Sequence, residues 1–357
     1  MKTGIANLPL HHGKAPRWLF QRMSKLARGI TMAVIEEYGP GEMLRRLSDT
    51  YWFQAFGCVL GFDWHSSGVT TTVGGALKEG LRGIEKDLGF FVAGGKGAQS
   101  RKTPAEIRAF SEKLALDATP LVYASRLAAK VDNAAVQDGF QLYHHHFFFN
   151  ADGRWCVVQQ GMNEETRYAR RYHWLGEGVR DFVCEPHAAI CSDVKTETLN
   201  MVASESAGSR QAAAVIACER PELILNELGR GDDLFLPKRH EIRETEDIRP
   251  DYLRKILLRT YERQPENFEM LLGTEGVGPK TIRALSLIGE LIHGARPSFR
   301  DPARFSYAHG GKDGYPYPVD RALYDRSIDM LQKGLESAKI DRTEKVRALK
   351  RLAGFYE

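Results

Sequence analysis

Long hydrophobic runs are missing from this chain. No apolar stretch approaches the ~20 residues needed to cross a bilayer, and the opening MKTGIANLPLHHGK lacks the apolar centre of a secretion signal. No membrane partner and a cytoplasmic location are therefore expected. Cysteine is scarce: the five residues at 58, 156, 184, 191 and 218 are odd in number and scattered. That excludes a disulfide framework and reads as reduced thiols. Neither sign of charge dominates, with 50 Lys and Arg against 46 Asp and Glu and a net charge of +4. Such a balance permits a nucleic-acid partner without demanding one, because a local basic face matters more than the total. Internal repeats and low-complexity tracts are absent too. A hydrophobic content of 43% in 357 residues excludes a disordered chain and suggests two domains.

Helical spacing of apolar residues runs from Pro16 to about Leu47, interrupted at Gly39-Pro40. The Val, Thr and aromatic content of FGCVLGFDWHSSGVTTTVGG argues for strand, with a turn near Ser66–Gly68. Phe90–Val92 is a short strand before the glycine-rich AGGKGAQSRK, which lacks the pattern of a nucleotide-binding loop. Thr103-Pro104-Ala105-Glu106 has the form of a capping box opening a helix. LYHHHFFF and RWCVVQQG read as two strands joined by a turn at Asn150–Gly153. Asn163 is expected to cap a helix over EETRYARRYHWL, and DFVCEPHAAI to form a strand. The charged stretch 237–250 reads as a linker, and the chain beyond it as helical. The fold expected is an α+β N-terminal domain with a mixed or antiparallel sheet (1–240), followed by an all-α C-terminal domain (241–357).

Residues 268–292, FEMLLGTEGVGPKTIRALSLIGELI, carry the most information. One helix ends near Leu272, a Gly-Val-Gly turn follows, and a second helix starts at Pro279 or Lys280. This resembles the helix-hairpin-helix DNA-binding motif. Gly276 and Gly278 let the turn approach a phosphate closely, and the N–H groups at the start of the second helix attract the anion. Lys280 adds charge, Thr281 adds a hydroxyl, and Val277 ties the helices together. Such contacts read the DNA backbone and not its sequence. Downstream, AHGGKDGYPYPVDRALYDRSIDML is similar to the pattern of helix-hairpin-helix DNA glycosylases, which implies an assisting role for Asp320. The segment between Lys280 and Asp320 is longer than those enzymes use, and an aspartate at a helix start is also an ordinary cap.

Four further segments, TGIANLPLHHGKAPRWLF, LSDTYWFQAFGCVLGFDWHSSGVTTTVGGALKEGL, SRLAAKVDNAAVQDGFQLYHHHFFF and VVQQGMNEETRYARRYHWLG, resemble the prokaryotic family of the domain of unknown function 763. The resemblance implies an N-terminal domain of unassigned chemistry joined to a helix-hairpin-helix, and a DNA-processing role.

The candidate catalytic residues come from chemistry alone. Metal-assisted phosphodiester hydrolysis needs oxygen and imidazole ligands converging from separate elements. Asp63 and His65 share a face if they lie on a strand. Asp132 and Asp138 flank a helix end, His145 points opposite to His144 and His146, and Glu185 and His187 are again two apart. The expected ligands of Mg2+ or Mn2+ are Asp63, His65, Asp132, Asp138, His145 and Glu185, with the first four catalytic. Arg167, Arg170, Arg171 and Trp174 recur at helical spacing and read either as a DNA-binding stripe or as a solvated helix face with ion pairs. The expectation is a metal-dependent DNA nuclease; the alternatives are a non-catalytic DNA-binding protein and a glycosylase using Asp320. A homo-oligomer stays open.

Overall fold

Alternation along the strand HHHFFF sends Phe147 and Phe149 to one side and Phe148 to the other, and all three are fully buried. A strand with no wet face must lie inside a sheet covered on both sides. The computed structural model describes residues 15–62, 67–192, 195–229, 250–303, 321–338 and 341–353, and it shows that sheet. Its strands are β1 (Phe90–Lys96), β3 (Gln141–Asn150), β4 (Trp155–Asn163), β5 (Tyr168–Leu175) and β6 (Ala189–Cys191), in the order β1-β3-β4-β5-β6 and antiparallel throughout. A separate ribbon pairs β2 (Val136–Gln137) with β7 (Leu199–Asn200). The architecture is α+β, with helices on both faces.

One face is covered by α1 (Arg17–Tyr38), α2 (Pro40–Ser48), α3 (Thr50–Leu60) and α4 (Gly68–Gly80), which pack on Phe90, Val92, Phe148 and Val158. The short α5 (Glu85–Leu88) leads into β1. The other face carries α6 (Thr103–Leu114), α7 (Thr119–Lys130), α8 (Ala207–Ile216), α9 (Pro221–Gly229), α10 (Pro250–Arg263), α11 (Phe268–Gly273) and α12 (Pro279–His293), packed around Phe91, Phe147, Phe149 and Trp174. The last helices, α13 (Arg321–Ser337) and α14 (Arg342–Ala353), return to the first face through Leu331, Leu335 and Leu352. C-terminal helices thus enter both cores, while residues 230–249, where the boundary between domains was expected, lie outside the described residues.

The hairpin expected at Asn150–Gly153 is present: the Asn150 side chain accepts from the N–H groups of Asp152 and Arg154, and Gly153 takes φ 78°. Other local readings give way to tertiary structure. FGCVL is the end of α3 and not a strand, and α4 follows where a second strand was expected. The reason is burial: Tyr51 through Leu60 are all buried, and a continuous apolar run carries no period that separates strand from helix. Asp49 settles the matter locally by accepting from the Trp52 N–H at 2.8 Å. Residues 168–175 form β5, not a helix. Asn163 does accept from the N–H groups of Glu165 and Thr166, but the same side-chain turn also starts a tight reversal, and Arg167 at φ 61° completes it. Of the strand expected over DFVCEPHAAI only the end, Ala189 and Ile190, pairs, as part of β6, and Glu185 takes φ 45°. α6 starts at Thr103 as read, yet Glu106 does not close a capping box. Its carboxylate accepts from the Lys78 ammonium and the Gly94 N–H, each at 2.7 Å.

α4 lies close to β3 because Gly74 has no side chain: a Cβ there would meet His146 Nδ1 at 2.3 Å. Gly74→Ala should therefore destabilise the protein by about 1–3 kcal/mol through overpacking. Urea unfolding of the variant against wild type measures this, and an unchanged midpoint would refute the close packing of α4 on β3.

Candidate active-site cavity

His145 projects from β3 towards α7, opposite to its two histidine neighbours. Its Nε2 lies 2.9 Å from Ser125 Oγ, and its Nδ1 lies 2.7 Å from Gln159 Oε1 on the facing position of β4. Gln159 Nε2 donates to Asp132 Oδ2 at 2.5 Å, and the same oxygen accepts from Trp174 Nε1 at 3.0 Å. The other oxygen, Asp132 Oδ1, is 2.5 Å from His187 Nε2. Protonation follows from this chain. A carboxylate only accepts, so Gln159 turns its NH2 to Asp132 and its carbonyl to His145. His145 Nδ1 then carries the proton, Nε2 accepts, and the Ser125 hydroxyl donates. Burial pushes the His145 pKa down, against the pull of Gln159 and the Asp132 charge. Asp132 reaches this position from a π-helical turn, Val131–Ala135, that ends α7.

Asp138 belongs to a second buried centre. Arg170 Nη1 donates to its Oδ2 at 2.9 Å, the Tyr172 hydroxyl donates to the same oxygen at 2.7 Å, and the Phe140 N–H reaches Oδ1 at 3.0 Å. Arg170 also holds Asp301 through both terminal nitrogens, at 3.1 and 2.8 Å. Burial raises the Asp138 carboxyl, and the Arg170 guanidinium draws it back. Arg171, on the opposite face of β5, donates to Gln54 and Thr70 beneath α3 and α4. The reading of Arg170 and Arg171 as a DNA-binding stripe is therefore corrected. Both are fully buried, because strand alternation points one into each core, and of the three arginines only Arg167 is exposed.

The α11–turn–α12 unit sits against α7. Asn267 caps α11 by accepting from the Met270 N–H at 2.9 Å, Gly276 takes φ 89°, and Val277 is buried between the helices. Lys280 is exposed in the first turn of α12, whereas Thr281 is buried. The Val277 carbonyl accepts from the Lys130 ammonium, and the Pro279 carbonyl accepts from Gln137 Nε2 at 2.8 Å. The turn, the Ser125–His145 pair and the exposed Arg101 and Arg126 thereby line one cavity of about 690 Å³.

Of the expected metal ligands, Asp63 and His65 lie outside the described residues, as does Asp320. Asp132 and His145 meet through Gln159. Asp138 is committed to Arg170, and Glu185 borders another cavity, near Asp301. Both oxygens of Asp132 and both of Asp138 already accept hydrogen bonds, and among the described residues no group of three or more His, Cys, Asp or Glu could hold a metal ion. Sequence reasoning missed Ser125, Arg101, Arg126 and Lys130. The first of these has no sequence signature, since helix packing alone brings it to His145.

A family model supplies the classification. The chain belongs to the DUF763 family. The match, to a family described as protein of unknown function (DUF763), runs over residues 4–319 and so includes α11 and α12. No curated protein and no solved structure matches the chain. Among the described residues no helix is long and apolar enough to cross a membrane.

Two measurements test the buried centres. Arg170→Ala leaves Asp138 and Asp301 without their counter-charge and should cost about 3–5 kcal/mol of stability, seen as a lowered denaturant midpoint. The histidines set a pH dependence. Burial, with the charges of His145 and Lys96, lowers the His144 pKa to about 3. A base depressed on folding contributes fully above its ordinary pKa near 6.5, and the contribution is lost as pH falls from there towards about 3. Unfolding free energy should fall by roughly 1.4 kcal/mol per pH unit for this histidine below pH ~6. Urea titrations from pH 7 to 4.5 should show a shallower fall in His144→Gln; equal slopes would refute a neutral buried His144.

Proposed function

We propose that this chain is a DNA nuclease: α11–turn–α12 acts as a helix-hairpin-helix that grips the DNA backbone, and the adjoining cavity hydrolyses a phosphodiester bond. One observation carries the reading. The turn that resembles a phosphate-binding hairpin and the Ser125–His145 pair line the same cavity, with Arg101 and Arg126 beside them. An anion held at the start of α12 by main-chain N–H groups and Lys280 lies next to a polar pair suited to proton transfer. Guanidinium groups at the rim suit the neighbouring phosphates. Because a hairpin of this kind contacts backbone and not bases, binding is expected to ignore sequence. In this reading residues 241–357 supply the grip on DNA and 1–240 the chemistry, in the cytoplasm. A divalent ion, Mg2+ or Mn2+, is part of the proposal; bound, it would offset charge growing on the phosphate.

The test uses the full chain with labelled single-stranded, bubble and duplex DNA. Affinity should fall linearly with the logarithm of salt concentration, and Lys280→Ala should lower that slope by about one while weakening all sequences alike. Parallel incubations with Mg2+, Mn2+ or EDTA should show strand cleavage in at least one metal. No binding at low salt would sink the hairpin reading. Binding without cleavage under every condition would leave a DNA-binding protein and remove the nuclease.

A further inference from the structure

The geometry points to Ser125 as a nucleophile, with His145 as its general base and Gln159 and Asp132 holding that base in place. The inference rests on the proposed DNA reading for its substrate, but not for the reactivity of the serine. Three observations combine. Ser125 Oγ and His145 Nε2 are 2.9 Å apart, the distance across which a hydroxyl passes its proton to an imidazole. Gln159, fixed by Asp132, admits only the tautomer in which Nε2 is the acceptor. Both residues border the cavity of about 690 Å³, which is large enough for a nucleotide and flanked by Arg101, Arg126 and Lys130. A histidine that merely fills a core gains nothing from opening onto a basic cavity.

The electrostatics favour the same direction of transfer. When His145 takes the proton it becomes an imidazolium whose Nδ1–H faces the Gln159 carbonyl. The amide dipole behind that carbonyl ends on the Asp132 carboxylate, so negative charge is relayed to the cation through one side chain. Asp132 is held for this task by the donors from Trp174 and His187.

Atoms balance in two steps. Ser125 Oγ bonds to the phosphorus of a DNA phosphodiester while the bond from phosphorus to the leaving sugar oxygen breaks. The serine proton passes to His145 Nε2 and on to that oxygen, which departs as a hydroxyl. Water then attacks the phosphoserine and gives a proton to His145. The bond from phosphorus to Oγ breaks, Oγ regains the proton from His145, and a terminal phosphate monoester is released. The nucleophile belongs to the protein, and any divalent ion acts on the charge of the phosphate.

Two arms separate this inference from the DNA reading. In the first, the full chain in EDTA is treated with a fluorophosphonate, which bonds to an activated serine with loss of fluoride. One equivalent should attach at Ser125 by peptide mass mapping, and the label should disappear in Ser125→Ala and in His145→Gln. In the second, 32P-labelled DNA is incubated and quenched in denaturant. Label should remain on wild-type protein, and Ser125→Ala should keep its DNA affinity while cutting at least about a thousandfold more slowly. Alanine is a strong helix former, so this variant keeps α7. No fluorophosphonate label on Ser125, or unchanged cutting by Ser125→Ala, overturns the inference. Label on Ser125 without any DNA cleavage upholds the nucleophile and overturns DNA as its substrate.

Discussion

A strand buried on both faces leaves polar side chains nowhere to go but into one another, and β3 carries three consecutive histidines into that situation. Much of the interior is arranged around this constraint. His144 and His146 share one face and meet at 2.8 Å, in space that Gly74 leaves open. His144 Nδ1 and His146 Nε2 find no partner among the described residues, so both rings are held neutral in an apolar core. His145 faces the other way and is satisfied at both nitrogens. The same strand therefore makes an inert pair on one side and an oriented base on the other.

β5 repeats the logic with charge. Arg170 and Arg171 enter opposite cores, and each guanidinium lies over an aromatic ring, Phe140 and Phe53 respectively, at 4.5 Å. Arg170 finds two carboxylates, from Asp138 and Asp301, while Arg171 donates to Gln54 and Thr70 on the other side. Such pairs stabilise little against a hydrophobic replacement, but removing one partner is costly. Their effect is to fix register, since a shift of one residue along β5 would exchange the two arginines between the cores.

The parts of this arrangement that could be read from sequence are those with a local cause. The β3–β4 hairpin follows from the two strand-like segments on either side of the Asn150–Gly153 turn, and the turn before α12 follows from Gly276 and Pro279. The opposition of His145 to His144 and His146 follows from strand geometry alone. Readings failed where the local signal has two meanings: Asn163 serves a helix cap and a strand reversal equally, and the apolar run of α3 has no period. Most of the candidate cavity had no local cause. Ser125 sits in PLVYASRLAAK, an unremarkable amphipathic helix, and gains meaning only because α7 packs over β3. Asp132 was singled out as a metal ligand, yet its two oxygens face Gln159, Trp174 and His187.

The placement of α11 and α12 has a consequence for the proposed grip on DNA. A hairpin on a flexible tether would present a phosphate anywhere. Here Lys130 and Gln137 hold main-chain carbonyls of the turn, Arg283 donates to Gln137 at 3.0 Å, and the Tyr123 hydroxyl donates to Glu269. Two of these four ties, from Lys130 and Tyr123, come from α7, which also carries Ser125 and leads into the turn of Asp132; the other two run through Gln137 of β2. Any movement of the hairpin must therefore displace Lys130, five residues from Ser125 on the same helix. The proposed binding at the turn and the proposed chemistry at the serine would thus be held in one frame by α7, which is the condition for turning contact with a remote phosphate into alignment of the reacting one.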